Sequence, residues 1–233
     1  MKAIKEEHPF LKSITLKSVI SDKRLYKGFI FILLSQLILA LSLISSNYPK
    51  QSWIFTVITI IATIFCIKWA NNIIKKDKYD TYDYGVPPFN KKWYIISLIL
   101  LILYFFVSPI LTNLLGAHSV SQENQNFLNT LIKNSPVSMF ICISILAPFC
   151  EELTFRLLWP KAFGNSILAY IIMTFVFISL HSPTGLSGWV SYGLLGAILL
   201  YVRLKSDNIY NSIATHMTWN TVSFILSLII LPK

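Results

Sequence analysis

Residues 93–115 read WYIISLILLILYFFVSPILTNLL, twenty-three residues without a charged side chain. About 20 apolar residues span the hydrocarbon core of a bilayer as a helix, so this stretch predicts a transmembrane helix. The whole 233-residue chain has the same character, with 55% hydrophobic and 13% charged residues and a mean hydropathy of +0.62. Soluble proteins carry about 25% charged residues. The composition therefore excludes soluble, disordered and coiled-coil chains and predicts an all-α, polytopic membrane helix bundle.

Apolar runs recur along the chain and set the expected number of spans. They cover 28–45, 52–67, 93–115, 137–158, 166–181, 189–202 and 209–231. We predict about seven transmembrane helices, within a range of six to eight. The runs 166–181 and 189–202 correspond to only about 24 and 21 Å of helix, less than the bilayer core. The uncharged connection 182–188 either lines a cavity at membrane depth or reaches the outer surface through local thinning of the bilayer.

The basic residues indicate an orientation. Of 20 Lys and Arg residues, 16 fall in alternate connections that begin with the N-terminal arm, and 3 fall in the others, while Arg156 lies near the end of the run 137–158. Cytoplasmic connections carry such an excess, so we expect the N-terminus and residues 68–92 inside and residues 116–136 outside a cell membrane. Residues 8–20 could form an amphipathic segment on the inner surface. The net charge of +10 flanks apolar runs, which argues against a nucleic-acid partner and for the lipid bilayer.

The expected organisation has three parts. We predict a basic cytoplasmic arm over 1–27, three N-terminal transmembrane helices over 28–135, and helices that carry the chemistry over 136–233, within a single domain of roughly 93–231. The three cysteines lie in apolar stretches and are interpreted as core residues. His8 and His118 lie in polar tails or loops and are interpreted as incidental.

Two adjacent carboxylates stand out at the end of an apolar run. Glu151 and Glu152 differ from the other eight acidic residues, which lie in tails and connections. A charge at the bilayer centre costs about 2.5–3.5 kcal/mol, so the pair indicates a partner or a function. Arg156 follows Glu152 by four residues and can pair with it on one helix face. The alternative is that both carboxylates are simply hydrated at the inner interface, near Arg156 and Lys161.

Two histidines and an amide also lie in apolar surroundings. His181 ends one run, and His216 and Asn220 share one face of the last run. Counted from the predicted cytoplasmic turns, Glu151, His181 and His216 lie about 20, 26 and 14 Å along their helices. Three helices can therefore bring these side chains into one polar cavity near the middle of the membrane.

A carboxylate with two imidazoles indicates peptide hydrolysis by activated water. Glu151 can accept a proton from water, while imidazole and amide groups hold the water or the oxyanion. Alternatively, Glu151, His181 and His216 could bind Zn²⁺ and leave one position open for water. The His-Glu-x-x-His zinc motif is absent, and no Ser or Cys nucleophile has a recognisable base motif. We prefer the metal-free mechanism slightly, because the glutamate pair could activate water unaided.

Three segments carry a resemblance to a known family. They read Glu151-Glu152-Leu-Thr-Phe-Arg156, Phe177-Ile-Ser-Leu-His181 and His216-Met-Thr-Trp-Asn220. In this order they resemble the motifs of the CAAX-protease and bacteriocin-processing (CPBP, Abi) intramembrane proteases, which are related to the Ras-converting CAAX endopeptidase. The match covers about 70 residues of the C-terminal half, and residues 1–135 match only as generic apolar helices.

The resemblance implies an endopeptidase that acts on a membrane-associated peptide or protein. It implies Glu151 as the general base, Glu152 with Arg156 as an orienting pair, and His181, His216 and Asn220 around the water and oxyanion. Its members are described both as metalloproteases and as glutamate proteases, and bacterial members are linked to bacteriocin maturation or self-immunity. The composition, rich in Lys, Asn and Ile, is also typical of a bacterial protein. The alternatives are an immunity or accessory protein that acts by binding, and a transporter, for which the expected inverted repeat is missing.

Overall fold

The computed structural model describes residues 15–76, 89–115, 132 and 135–230. Within these residues it has eight α-helices and no strand. They are α1 (Leu16–Ile20), α2 (Lys23–Asn47), α3 (Ser52–Lys76), α4 (Lys91–Leu114), α5 (Pro136–Ala162), α6 (Ile167–Leu180), α7 (Gly185–Ser206) and α8 (Ile209–Ile230). The predicted all-α polytopic bundle is confirmed. His8, His118 and residues 116–131 lie outside the described part of the chain.

The helices match the seven predicted runs, although not all qualify equally as spans. In the described residues, α2, α3, α4, α5 and α7 are long and apolar enough to cross a membrane. Helix α6 is apolar but has only 14 residues, in agreement with the short apolar run in the sequence. Helix α8 has 22 residues and includes polar residues of the third motif. The chain is a multi-pass membrane protein, and a total of seven spans stays a prediction.

Helix α7 is longer than its apolar run indicated. It begins at Gly185, not at residue 189, so the connection after α6 is only 181–184 and the predicted loop 182–188 is mostly helical. Its 22 residues correspond to about 33 Å, enough to cross the bilayer core. Gly188 permits the early start, because a Cβ there would lie 3.1 Å from the Pro183 backbone. Three of the four residues in this first turn are glycine or serine, so the hydropathy pattern did not indicate that the helix begins there.

Helix α5 is the most buried of the five long apolar helices and forms the centre of the bundle. It packs against α2, α3, α6 and α8, while α4 packs on α7 and α8 at the periphery. Large apolar side chains on α3 and α4, such as Phe65 and Phe106, stay exposed and form the surface expected to face lipid. The short α1 buries only Val19, and the remainder of the predicted amphipathic segment, residues 8–14, is not described.

Candidate active site

The three sequence motifs meet in one cavity of about 320 Å³. Glu151 reaches it from α5, His181 from the end of α6, and His216 and Asn220 from α8, with Phe177 at its wall. Most of the remaining lining is apolar. The polar cavity predicted by helix counting is therefore present, and it contains the four side chains that the sequence placed together.

Glu152 is fully buried behind this cavity and is held from three sides. Its Oε1 atom lies 3.0 Å from Nδ1 of His216, and its Oε2 atom accepts a hydrogen bond from the Ser212 hydroxyl. Arg156 Nε lies 3.7 Å from the same Oε2 atom, which gives the ion pair that the four-residue spacing predicted. Three fixed partners leave Glu152 no freedom to turn toward the cavity.

The Arg156 guanidinium is also completely buried. Its Cζ atom lies 4.2 Å from the centre of the Phe177 ring, a cation–π contact. None of its three side-chain nitrogen atoms has a hydrogen-bond partner among the described residues, so Glu152 and the ring are its principal stabilising contacts there. The same ring lies 4.5 Å from His181 and 5.8 Å from His216, centre to centre. Phe177 therefore links the buried ion pair to both histidines.

Glu151 has the opposite environment to its neighbour. Its side chain keeps 14% of its surface exposed and lines the cavity. Its Oε2 atom lies 3.8 Å from His216 Nε2, too far for a direct hydrogen bond. Adjacent positions on a helix point about 100° apart, which explains how one carboxylate is buried while the next faces the cavity.

The backbone fixes the ring of His181. This residue follows the last turn of α6, and its Nδ1 atom lies 2.8 Å from the carbonyl oxygen of Phe177. A carbonyl can only accept, so Nδ1 carries the hydrogen and Nε2 is left to interact with other groups. Tyr192 of α7 packs against the other side of the ring, with 4.8 Å between the ring centres.

A proline in α5 explains the position of Asn220. Residues Ile141–Leu146 form a π-helical segment, in which the Ala147 N–H bonds the Cys142 carbonyl five residues earlier. In that register the next donor would be Pro148, which has no N–H, so the Ile143 carbonyl is released from the helix. Asn220 Nδ2 donates to this carbonyl at 2.9 Å. The amide thus joins α8 to α5 beside the cavity.

A second π-helical segment, Thr154–Leu158, follows the glutamates. In it the Trp159 N–H bonds the Thr154 carbonyl five residues earlier, and Pro160 follows without an N–H. The Arg156 carbonyl of this segment accepts a hydrogen bond from Arg203 Nε of α7 at 3.1 Å. Side chains of α8 and α7 therefore bind carbonyls of α5 on either side of Glu151.

A zinc ion at this site would need about three protein ligands that converge on one point. His216 and His181 each donate Nδ1–H to an oxygen acceptor, which is the usual outer arrangement of zinc-binding histidines. Among the described residues, however, no three His, Cys, Asp or Glu side chains converge closely enough to hold a metal. In this arrangement Glu151, His181 and His216 do not fit a zinc site.

Two contacts of the site escaped the sequence analysis. Ser212 lies four residues before His216, so the same spacing that joined His216 to Asn220 could have revealed it. Tyr192 lies on a different helix from its partner His181 and has no local signal.

One known protein family matches the C-terminal part of the chain. Residues 133–222 match the family model described as Type II CAAX prenyl endopeptidase Rce1-like. This region is therefore similar to that family. It contains all three motifs and falls within the predicted domain 93–231, which confirms the resemblance to the CAAX-protease family. At the level of the family, this match supports the interpretation of the protein as a CAAX-protease-like intramembrane protease.

Two curated relatives of this chain come from Lactococcus lactis subsp. lactis (strain IL1403). The UPF0177 protein YvdC is 26% identical over 95% of this chain and 86% of its own length. The UPF0177 protein YaiF is 28% identical over 92% of this chain and all of its own length. No solved structure matches.

Proposed function

We propose that this Rce1-like protein hydrolyses a peptide bond within the membrane by using a water molecule activated by Glu151. The observation that carries the proposal is the different environment of two adjacent carboxylates. Glu152 is buried and bound by Arg156, His216 and Ser212, whereas Glu151 faces the cavity. One carboxylate can therefore organise the site while the other remains available to accept a proton.

The first step is attack on the peptide carbonyl. Glu151 takes one proton from a water in the cavity as the oxygen bonds to the carbonyl carbon, giving a tetrahedral intermediate with a negative oxygen. Asn220 donates one N–H to Ile143, and its second N–H is available to the oxyanion. His181, whose Nδ1 hydrogen is held by the Phe177 carbonyl, turns Nε2 to the cavity, where it can accept a hydrogen bond from the water.

The second step is release of the amine. The proton on Glu151 passes to the nitrogen as the carbon–nitrogen bond breaks, which restores the carboxylate and the carbonyl. Glu152 acts indirectly in both steps. Its carboxylate accepts Nδ1–H from His216, which leaves Nε2 of that ring facing Glu151 and available to the attacking water.

The substrate is a membrane-associated peptide or protein, and maturation of a secreted peptide or bacteriocin is the role we favour in a bacterial cell membrane. The competing function is immunity or accessory activity by binding alone. Purified protein in liposomes, incubated with a total membrane-protein extract, separates the two. Hydrolysis creates new peptide N-termini detectable by mass spectrometry, and the Glu151→Gln variant should create none. A binding protein would create none in either form.

A further inference from the structure

An unusual polar residue lies on α2, which lines the cavity together with α8. Gln36 stands near the middle of this 25-residue helix, and its side chain is exposed and lines the cavity. The adjacent Ser35 bonds its own helix at the Ile32 carbonyl, at 2.8 Å. Gln36 makes no hydrogen bond to any described residue. An amide side chain inside a bilayer normally has a hydrogen-bond partner. A molecule bound in the cavity could supply the partner that Gln36 lacks.

The part of the cavity lining that α8 supplies has a similar feature. Ser223 and Ser227 continue the face of His216 and Asn220 at helical spacing and line the same cavity. Other hydroxyls of α8 bond their own helix, as Thr218 does at the Ala214 carbonyl at 2.8 Å. Neither serine makes a hydrogen bond within the described part of the chain. Two helices that line the cavity therefore present polar groups without a hydrogen bond to the described residues, between apolar ones.

The dimensions of this surface match a short extended peptide. From His216 to Ser227 the helix rises about 16 Å, the length of about five residues in extended conformation. The apolar part of the lining includes Ile32 and Leu39 of α2 and Phe224 of α8. An apolar wall with hydrogen-bonding groups at intervals suits a chain with apolar side chains and an unpaired backbone.

We infer that the cavity continues as a groove between α2 and α8 that binds an extended apolar segment of a membrane-spanning peptide through Gln36, Ser223 and Ser227. This inference rests on the proposed function and names its substrate class. In a helix the carbonyl is bonded and shielded, so the segment must unwind before water can attack. Unwinding exposes N–H and C=O groups that the bilayer cannot satisfy. The Gln36 amide offers both a donor and an acceptor to such a backbone.

The test uses two libraries with the same five randomised central positions. In one, apolar Lys-flanked arms make each peptide span a liposome, and in the other charged arms keep it in water. The wild-type protein should cut the membrane library at the central positions. Gln36→Leu and the double variant Ser223→Ala/Ser227→Ala should each raise KM roughly three- to tenfold, as expected for lost hydrogen bonds, with a smaller effect on kcat.

Matched variants control for general effects of substitution. Ser35→Ala removes a hydroxyl that bonds its own helix and should leave KM unchanged. Adding Leu37→Gln to Gln36→Leu moves the amide to a side chain that is 53% exposed, and it should not restore KM.

The outcomes separate this inference from the proposed function. Unchanged KM in the groove variants would overturn the role of these residues. Cleavage of the water-soluble library alone would overturn the substrate class, and so would cleavage of the membrane extract without cleavage of either library. In both cases the proposed protease activity would still be supported. If wild-type protein cuts neither library nor the extract, the result contradicts the proposed function and, with it, the role of the groove in substrate binding.

Discussion

Nδ1 of His216 lies 3.0 Å from Oε1 of Glu152, a contact between side chains 64 residues apart on α8 and α5. It couples the buried carboxylate to the cavity, because the opposite ring atom, Nε2, faces Glu151 at 3.8 Å. The contact explains how two adjacent glutamates can have different roles in the site. Glu152 positions a histidine, and Glu151 is left to meet the water.

Loss of the Glu152 charge should lower protein abundance as well as activity. Glu152→Gln leaves Arg156 buried without its ionic partner, and breaking a buried pair from one side costs about 3–5 kcal/mol. Arg156→Ala should behave alike, because it strands Glu152. Immunoblots of membrane fractions measure abundance, with Glu151→Gln as the control that keeps the buried pair intact. Normal abundance of both Glu152→Gln and Arg156→Ala would contradict the assignment of this pair as structural.

The metal-free interpretation predicts that chelators leave hydrolysis unchanged. No three potential ligands converge among the described residues, and Glu151 can accept a proton without a metal. Cleavage of membrane extract should persist after dialysis against EDTA and phenanthroline, and elemental analysis should find far less than one metal per chain. Stoichiometric zinc that is lost together with activity in His181→Ala and His216→Ala would reverse this interpretation.

Helix α2 should tolerate no side chain at Gly28. A Cβ there would lie 2.7 Å from Cδ1 of Trp159, and that ring is held by a 3.0 Å hydrogen bond from Nε1 to the Leu25 carbonyl. Overpacking of this kind costs about 1–3 kcal/mol, so Gly28→Ala should lower the melting temperature in detergent. Gly193→Ala is the matched control, because nothing lies within 4 Å of a Cβ there. Equal melting temperatures for the two variants would contradict the packing of α2 on α5.

The charge distribution predicts the orientation of the chain. Gln51, between α2 and α3, should face the outside, and Lys17 in α1 should face the cytoplasm. The protein's own cysteines at positions 66, 142 and 150 are buried, so introduced cysteines can be labelled selectively. An impermeant maleimide should label Gln51→Cys in intact cells and Lys17→Cys only after permeabilisation. The reverse pattern would invert the topology.

Much of this architecture is visible in the sequence because it depends on local patterns. Apolar runs indicate the helices, and the four-residue spacing of Glu152 and Arg156 predicts their ion pair. The start of α7 was missed because it depends on Gly188 lying against Pro183, a close approach without a hydropathy signal.

The contacts between helices could not be read in the same way. The pairing of His216 with Glu152 requires knowledge of which faces of α5 and α8 meet. The link from Asn220 to Ile143 depends on a carbonyl that Pro148 releases, and Pro148 marks the irregular helix but not the partner. Tertiary packing decides such pairs.

The most direct test of the account is hydrolysis by Glu151→Gln in liposomes with membrane extract, measured beside wild-type protein at matched abundance. Glutamine keeps the size of the side chain but cannot take a proton from water, so new N-termini should fall below detection. Because Glu151 faces the cavity and lies outside the buried ion pair, the amount of folded protein should stay near normal. New N-termini at the wild-type rate in this variant would contradict Glu151 as the base and favour a protein that acts by binding.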